Sequence, residues 1–359
     1  MTRTIGIGII GAGVISAIYL KNITAGTWPH MRAVAVADLV AERAEARAAE
    51  FGVLALTIDE LLAHPEIDIV INLTIPAAHA TVCRQVIAAG KSVYTEKPLA
   101  IDLAEGKGVI DAAAAAGVLV GSAPDTFLGA GLQTVRKAID DGAIGTPIAF
   151  NARMVTHGME DWHPDPYFFY QPGGGPMLDM GPYYVTAIAT VLGPIASISS
   201  RSTQGFAERV VTSDSPKKGD VIPVNTPTHI ESVLELENGV VGSLTTSFDL
   251  FDPEHSWFMV YGTEGTLRLP DPNTFGGSVK VFRGANRHWW DLDLVAGHAH
   301  DTRGIGVADM ADSLLNGTPQ RASGALGYHV LEVLLGAIKS AATRETVMIE
   351  STIERPDLL

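Results

Sequence analysis

At 359 residues the chain is longer than one typical hydrophobic core supports, so we expect two domains. Its 25 basic and 40 acidic side chains give a formal net charge of −15; such a surface repels phosphate backbones and anionic membranes, so we predict neither nucleic acid nor a membrane as a partner. The single cysteine, Cys83, excludes an internal disulfide and predicts a cytoplasmic, reducing environment.

The chain opens with an apolar strand that leads into a glycine-containing turn. Thr4 to Ile10 is short, β-branched and apolar, which predicts a buried strand and not a secretory signal. Gly11-Ala-Gly-Val-Ile-Ser16 follows, and then a helical stretch to about Ala25. Such a turn is typical of a dinucleotide-binding loop, with Ser16 in place of the third glycine and small enough for close packing. The alternative is a glycine turn without a ligand.

The second predicted strand ends in an acidic residue. Arg32 to Asp38 forms this strand, and Asp38 follows Gly13 at close to the ~20 residues expected for a carboxylate that binds the cofactor ribose. Such a carboxylate accepts from both ribose hydroxyls of NAD and repels the extra phosphate of NADP. Leu39 stands where NADP-binding chains often have arginine or serine. The alternative in favour of NADP is Arg43, which lies one turn into the next helix and is long enough to bend back toward that phosphate. We therefore predict NAD, with NADP less favoured.

Strands and helices continue to alternate beyond this point. The predicted helices are 42–51, 77–89 and 103–116, and the predicted strands are 67–73, 92–95 and 118–121. This alternation predicts a doubly wound parallel sheet, an α/β fold of the Rossmann type. We place the boundary near 122–126, which gives a dinucleotide-binding domain over 1–124 and a second domain over 125–359.

Glu96 and Lys97 follow the strand at 92–95 and directly precede Pro98. Ligands of a parallel sheet lie beyond the carboxyl ends of its strands, where Gly11, Asp38, residues 74–76 and residues 96–98 are all expected. We therefore expect Lys97 to point into the cofactor cleft, with its direction fixed by Pro98. The alternative is a lysine that only pairs with Glu96.

The second half of the chain is dominated by strands. The predicted strands are 148–157, 196–203, 230–237, 240–248, 257–261, 266–269 and 279–283, and the predicted helices are 131–141, 177–192, 305–315 and 326–343. Successive strands without intervening helices predict antiparallel pairing, and Asn238-Gly239 predicts a tight hairpin. No uninterrupted apolar run reaches the ~20 residues that a membrane helix needs.

Several motifs, in this order, resemble those of one enzyme family. They are the glycine turn at 11–16, the strand that ends in Asp38, Asn72-Leu-Thr-Ile-Pro-Ala-Ala-His79, Glu96-Lys-Pro98 and Gly173-Gly-Gly-Pro-Met-Leu-Asp-Met-Gly-Pro-Tyr183. The chain resembles the glucose–fructose oxidoreductase, inositol dehydrogenase and MocA family over essentially its whole length. The resemblance implies a nicotinamide-dependent oxidoreductase of sugars and cyclitols. It also implies a C-terminal α+β domain built on a large, mainly antiparallel open sheet.

The resemblance further implies a set of cofactor contacts and the partners of the protein. The cofactor contacts fall on Gly11, Gly13, Val14, Ile15, Asp38, Thr74, Pro76, His79, Glu96 and Lys97. The second domain is expected to bind the substrate, a small carbohydrate or cyclitol. Its broad sheet face is expected to pair with a copy of itself, which gives a homodimer or a homotetramer.

Hydride loss from a secondary alcohol requires a group that accepts the hydroxyl proton. Asp179 and Tyr183 are four positions apart at the start of the predicted helix 177–192, so they are expected to share a face. Gly173 to Gly175, just before them, let the backbone approach a ligand. Many family members have histidine where this chain has Tyr183.

A tyrosine in this position needs help to accept a proton. A free tyrosine has a pKa of ~10, and a nearby ammonium lowers it. We therefore expect Lys97 to bind the substrate hydroxyl and to bias Tyr183 toward phenolate. Asp179 either orients Tyr183 or binds a sugar hydroxyl. The alternatives are a helix N-terminal carboxylate for Asp179 and a core tyrosine for Tyr183.

The segment from His157 to Tyr170 combines aromatic rings, polar side chains and two prolines. Aromatic faces pack on the C–H faces of sugars, while histidine and aspartate bind hydroxyls. We select His157, Trp162 and His163 as substrate-binding residues. His229, in a segment that resembles part of a bacterial sugar-oxidoreductase branch, is a fourth candidate. The alternative is a structured surface loop.

His298-Ala-His300 with Asp301 is an arrangement that suggests metal ligands. The other histidines are scattered, and the chain contains no HExxH or CxxC spacing. A hydride-transfer site of this kind needs no metal, so we predict none.

Together these residues predict an NAD-dependent dehydrogenase that reversibly oxidises a secondary ring hydroxyl of a sugar, glycoside or cyclitol. A second interpretation is an NAD-retaining redox glycosidase, which oxidises a sugar, eliminates its aglycone and reduces it again. A third is a ligand-sensing regulator on the same fold. The joint presence of Lys97, Asp179 and Tyr183 disfavours the regulator.

Overall fold

A computed structural model describes residues 3–252, 256–295 and 297–359. The chain forms two compact units. The first contains Met1–Leu128 and His300–Leu331, and the second contains Gly129–Ala299 and Glu332–Leu359.

The strands and helices alternate in the first third of the chain, and strands dominate the remainder. The strands are β1 (Ile5–Ile10), β2 (Met31–Ala37), β3 (Leu54–Ala55), β4 (Ile69–Asn72), β5 (Ser92–Thr95), β6 (Val120–Ser122), β7 (Pro147–Val155), β8 (Ile195–Thr203), β9 (Glu208–Val210), β10 (Val221–Pro223), β11 (His229–Leu236), β12 (Val241–Ser247), β13 (Ser256–Gly262), β14 (Gly265–Leu269), β15 (Val279–Arg283), β16 (His288–Leu292) and β17 (Val347–Met348). The α-helices are α1 (Ser16–Thr24), α2 (Ala41–Phe51), α3 (Ile58–Ala63), α4 (His79–Ala88), α5 (Leu103–Ala116), α6 (Ala130–Asp140), α7 (Gly175–Asp179), α8 (Gly181–Leu192), α9 (Ile305–Asn316) and α10 (Gly324–Thr343). Short 3-10 helices cover Pro76–Ala78, Thr126–Leu128 and Tyr167–Tyr170.

The first unit contains a parallel sheet with the strand order β3-β2-β1-β4-β5-β6. Every residue of β1, β4 and β5 is buried, as expected for central strands of a parallel sheet whose two faces are covered by helices. The predicted doubly wound Rossmann sheet is confirmed. The residues of β3 and α3 were not predicted as elements, although Thr57 and Glu60 form a capping box at the start of α3.

The carboxyl ends of the central strands lie side by side. Ile10 at the end of β1 is paired with Ala37 and with Asn72, Asn72 is paired with Thr95, and Thr95 is paired with Ser122. The turns that follow these strands therefore leave the sheet along one edge, as the sequence predicts for a ligand site.

Residues 300–331 belong to the first compact unit, which corrects the predicted assignment of this segment to the second domain. The buried Asp125 explains the difference. Its Oδ2 accepts hydrogen bonds from the amides of Gly304 and Gly306, at 2.9 and 3.1 Å. The carboxylate thereby caps the start of α9 and holds a distant segment against the end of the first domain.

Among the described residues, the second unit contains a nine-stranded sheet with the order β16-β15-β14-β13-β7-β12-β11-β8-β17. Its pairs are antiparallel except β7 with β12, which are parallel. The predicted large and mainly antiparallel sheet is confirmed, and the parallel pair is an exception that a long connection permits. The predicted hairpin joins β11 to β12, with Gly239 at a φ of 82°.

Helix α8 belongs to the core of the second unit, and all of its residues are buried. It does not continue α7, so the single helix predicted over 177–192 is wrong. Pro182 explains the break, because it has no amide hydrogen to donate to the carbonyl of residue 178. Met180 joins the two helices, and its amide bonds Pro176 O at 3.0 Å.

Helix α10 is long and apolar enough to cross a membrane by length and composition. More than half of its apolar stretch is buried inside the protein, and the core helix of a globular domain passes the same test. Among the described residues α10 is the one helix that is long and apolar enough to pass this test. A single such helix is weak evidence for a membrane span.

Candidate cofactor and substrate sites

The glycine turn after β1 is built so that the backbone can approach a ligand. Gly11 has a φ of 107°, and a Cβ placed there would lie 2.6 Å from Leu73 O, so only glycine fits. Gly13 is exposed and its missing Cβ would face open space. Ser16 is buried, and its hydroxyl donates to Gly13 O at 2.6 Å. The serine therefore holds the turn at the start of α1.

Asp38 connects the glycine turn to the end of β2. Its Oδ2 accepts from the Ala12 amide at 2.7 Å, and its Oδ1 accepts from the Val40 amide at 2.9 Å. Leu39, beside it, is 91% exposed. Each carboxylate oxygen has a second lone pair, so the group can hold its own turn and still accept from a ribose hydroxyl.

Two further predicted cofactor residues, Val14 and Ile15, lie on the glycine turn. Val14 is 94% exposed and Ile15 is half-buried. Arg47 of α2 was not predicted; its Nη2 donates to Gly13 O at 3.4 Å and its Nη1 pairs with Glu50. Its position one turn beyond Arg43 gave no spacing signal that links it to the glycines.

The turn after β4 is held by Asn72 and His79. The Asn72 side chain accepts from the Thr74 hydroxyl at 2.7 Å, while Thr74 and Pro76 are half-buried. The His79 ring is buried, with Nδ1 at 2.6 Å from Pro98 O and Nε2 at 3.0 Å from Thr74 O. Burial lowers the pKa of His79.

The predicted cofactor contact of His79 stays a prediction, and the structure gives the ring a role within the protein. Both ring nitrogens face carbonyl oxygens of the protein. The ring joins the turn after β4 to the turn that carries Lys97 and Pro98.

Glu96 is fixed at the end of β5 by two donors. The Tyr19 hydroxyl donates to Glu96 Oε1 at 2.9 Å, and the Lys97 amide donates to Oε2 at 3.0 Å. Burial and the Glu96 carboxylate raise the pKa of Tyr19 well above its usual value, so the phenol remains a donor. Lys97 is half-buried, and its peptide bond to Pro98 is cis.

In the second unit, the glycines at the start of α7 pack tightly on their neighbours. A Cβ on Gly174 would collide with Phe168 O, and Gly175 has a φ of 83° beside Pro227 O. Asp179 is half-buried at the end of α7, and Tyr183 is 9% exposed in the first turn of α8. The two residues thus belong to different helices, which corrects the prediction that they share a face of one helix.

The predicted substrate segment contains an ordered group of rings. His157 is stacked on Phe251 with centroids 3.3 Å apart, and its Nδ1 lies 3.3 Å from Asp249 O. Trp162 is 62% exposed and packs edge-on to His163, whose Nδ1 accepts from an amide at 3.1 Å. In that arrangement the His163 Nε2 is the protonated nitrogen of a neutral ring.

His229 begins β11 and is half-buried. Its Nε2 lies 3.5 Å from Glu231 Oε1, and its Nδ1 is buried without a hydrogen-bond partner among the residues that the structure describes. Within residues 3–252, 256–295 and 297–359, no group of three His, Cys, Asp or Glu side chains could hold a metal ion. The absence of a metal stays a prediction.

Two family profiles match the chain. Residues 5–123 match the oxidoreductase family with an NAD-binding Rossmann fold, and residues 132–268 match the GFO/IDH/MocA C-terminal domain. The chain is 27% identical to a 1,5-anhydro-D-fructose reductase of Ensifer adhaerens over 72% of its own length and 74% of that protein. It is 32% identical to an inositol 2-dehydrogenase of Rhizobium meliloti over 49% of its length and 52% of that protein.

Solved structures share this architecture over nearly the whole chain. An NAD-binding oxidoreductase from Klebsiella pneumoniae has a TM-score of 0.84 at 22% identity, and covers 97% of this chain and 99% of that one. A levoglucosan dehydrogenase in complex with NADH and levoglucosan has a TM-score of 0.82 at 21% identity, with the same coverage. With its NAD-binding Rossmann unit and its C-terminal unit both matched, the chain belongs to the Gfo/Idh/MocA family of NAD(P)-dependent oxidoreductases.

Proposed function

We propose that this protein is an NAD-dependent dehydrogenase that reversibly oxidises a secondary ring hydroxyl of a sugar, glycoside or cyclitol. The observation that carries the proposal is the Asp38 carboxylate, which lies 2.7 Å from the Ala12 amide of the glycine turn. A ribose-binding acid and a pyrophosphate-binding turn are thereby adjacent. Relatives named inositol 2-dehydrogenase and anhydrofructose reductase support the substrate class.

The residues of the first unit fit NAD. Gly11 leaves space that a Cβ would fill, and the start of α1 offers backbone amides to a pyrophosphate. Asp38 would accept from the ribose hydroxyls and would repel the additional phosphate of NADP. The remainder of the cofactor would be lined by the turns that contain Thr74, Pro76 and Glu96. When bound, the nicotinamide supplies the hydride acceptor.

We assign the acid–base role to Lys97, Asp179 and Tyr183. Lys97 holds the substrate hydroxyl with its ammonium and stabilises negative charge that develops on the oxygen. Tyr183 accepts the hydroxyl proton as the hydride leaves. Asp179 orients the phenol or binds a neighbouring sugar hydroxyl.

The substrate itself is proposed to contact His157, Trp162, His163 and His229. The exposed Trp162 offers a ring face for C–H groups, and the His163 Nε2 offers a donor for a hydroxyl. A cytoplasmic location and a homodimeric or homotetrameric state belong to the same proposal.

A panel of pyranoses, glycosides and inositols with NAD, followed by NADH absorbance, tests the function. We expect net NADH release with at least one ring polyol. Lys97→Met should cut the hydride step by ~100-fold or more while NAD affinity stays within a few-fold, the scale for loss of an electrostatic partner. Lys107→Met, an exposed lysine on α5, is the matched control. Turnover without net NADH release would indicate the redox glycosidase, and no turnover with any member would contradict the dehydrogenase.

A further inference from the structure

A buried arginine lies beneath the predicted substrate segment. Arg209 is on β9, in the excursion between β8 and β11 that forms a two-stranded sheet with β10. Its side chain is only 4% exposed, and its guanidinium carbon lies 4.2 Å from the centre of the Phe206 ring. Arginine is rarely buried to this degree unless it is fully paired.

The guanidinium joins two stretches of chain that are far apart in sequence. Nη1 donates to His157 O at 3.1 Å and to Glu160 Oε1 at 2.8 Å. Nη2 donates to Phe248 O at 2.8 Å and to Asp249 Oδ1 at 2.5 Å. Its two forked nitrogens therefore hold the turn at 157–160 against the end of β12, a geometry that lysine cannot reproduce.

The two carboxylates have further partners that complete the network. Glu160 Oε2 accepts from the Tyr170 hydroxyl, and Asp249 Oδ2 accepts from the Thr228 hydroxyl at 2.6 Å. The backbone oxygen of Glu160 accepts from the amides of Thr212 and Ser213, both at 2.9 Å. Both ends of the 157–170 segment thus depend on the same charged cluster.

Arg209 pairs with both acids of the cluster. Glu160 and Asp249 carry two negative charges against one guanidinium, while burial and the Glu160 carboxylate raise the pKa of Tyr170 and keep it neutral. Removal of the guanidinium would leave two nearly buried carboxylates close together without their paired cation, a strongly unfavourable state.

We propose that Arg209 is a positioning residue for carbohydrate binding, which fixes the backbone of His157 and the Glu160 turn so that the ring-rich segment 157–170 presents a preformed surface. His157 is held at its carbonyl by Arg209, while its ring rests on Phe251. The inference rests on the proposed function, since it assigns that segment to the substrate.

Two substitutions at position 209 test the inference. Arg209→Met should raise KM for the best polyol by ~10-fold or more, since small misplacements of binding groups cost up to ~100-fold. The NAD dissociation constant should stay within about two-fold, because the first unit holds the predicted cofactor residues. Arg209→Lys should give a KM between those of the wild type and Arg209→Met. Arg201→Met, which replaces an exposed arginine on β8, should have the KM of the wild type.

Amide hydrogen exchange tests the positioning role without any substrate. In Arg209→Met the amides of Met159, Thr212 and Ser213, which bond within the cluster, should exchange faster than in the wild type. The thermal midpoint of this variant should also lie below that of the wild type at pH 8, because two nearly buried carboxylates lose the guanidinium that pairs with them. Adding Asp249→Asn should reduce the deficit at pH 8.

The outcomes separate the two proposals. A wild type that turns over no polyol contradicts the proposed function, and the exchange data still decide the role of Arg209. Unchanged exchange and unchanged KM in Arg209→Met overturn the positioning role. If Arg209→Met does not fold, the same readouts in Arg209→Lys decide, and wild-type values there overturn the role as well.

Discussion

At the scale of single residues, the sequence identifies groups whose partners are close along the chain. Asp38 was predicted because the glycine turn precedes it at a family-typical spacing, and Glu96 because Lys97 and Pro98 adjoin it. Tyr19 was not predicted, since it meets Glu96 across 77 positions. Arg209 was missed for the same reason, with Glu160 49 positions away. Such pairs exist only after the chain has folded.

The Asp38 carboxylate leads to a prediction on cofactor choice. Asp38→Ser should weaken NAD binding by ~10-fold or more, because charge-assisted hydrogen bonds to the ribose are lost. Binding of NADP should improve relative to NAD, since the repulsive charge is gone. Isothermal titration of both cofactors into both proteins measures this. Asp111→Ser, which replaces an exposed acid on α5, is the control. A wild type that binds NADP more tightly than NAD would contradict the assignment of Asp38 to the ribose.

Tyr183 leads to a second prediction at this scale. Tyr183→Phe keeps the ring that α8 packs into the core, so the protein should fold while polyol oxidation falls by ~100-fold or more, the lower end of the range for loss of a general base. Tyr183→His should restore part of the activity, since the family resemblance implies that histidine serves in this position. Tyr184→Phe is the matched control, because its hydroxyl bonds Asp271 in the core. Single-turnover rates decide, and an unaltered rate in Tyr183→Phe places the base elsewhere.

At the scale of elements, local pattern predicted most helices and strands, and long-range contacts decided the exceptions. The helix at 103–116 was predicted with its observed ends, since Asp102 caps its start and Gly117 adopts φ 67° at its end. One helix was predicted at 177–192 where the structure has two, because the apolar run hides the break at Pro182. The short strands β9 and β10 were missed because they pair only with each other within a polar excursion.

The cap of α9 leads to a prediction on stability. Burial raises the pKa of Asp125 from 3.8 to about 6, and the nearby Glu96 adds to this effect. The folded state therefore holds its proton more tightly than the unfolded chain, and the stability from this group falls as pH rises from about 4 to about 6. A shift of about two units corresponds to about 3 kcal/mol.

Asp125→Asn keeps an acceptor for the amides of Gly304 and Gly306 and removes the titration. Its stability relative to the wild type should therefore increase between pH 4.5 and pH 7.5. Thermal unfolding of both proteins at the two pH values measures the change. Asp111→Asn should show no such trend, and a pH-independent difference for Asp125→Asn would show that the carboxyl is already ionised at pH 4.5.

At the scale of the whole molecule, the sequence predicted the parallel Rossmann sheet and the mainly antiparallel sheet. It did not predict which residues belong to each of the two compact units. Fold class follows from alternation and periodicity, which are local. The return of 300–331 to the first unit depends on the buried carboxylate of Asp125 and on Asn22, whose side chain bonds Arg303 O at 2.9 Å. Neither contact leaves a periodic pattern in the sequence.

The nine-stranded sheet leads to the last prediction, on assembly. Val233 is 54% exposed, and its ladder partners Ser243, Asn151 and Met259 point to the same face and are each partly exposed. The next row places Val241, 44% exposed, on this face. Charged side chains, among them Glu231, Glu235 and Arg153, share the face with these apolar and small polar residues. An apolar patch with charged neighbours suits self-association.

We therefore expect a dimer or tetramer in solution. Val233→Arg combined with Met259→Arg places charges on that face and should shift the mass toward the monomer, because burial of unpaired charge is costly. Val210→Arg, on the separate strand β9 and 48% exposed, should leave the mass unchanged. Light scattering coupled to size exclusion reads the three proteins. A monomeric wild type at micromolar concentration would contradict the assembly, and an oligomeric double variant would move the interface to another surface.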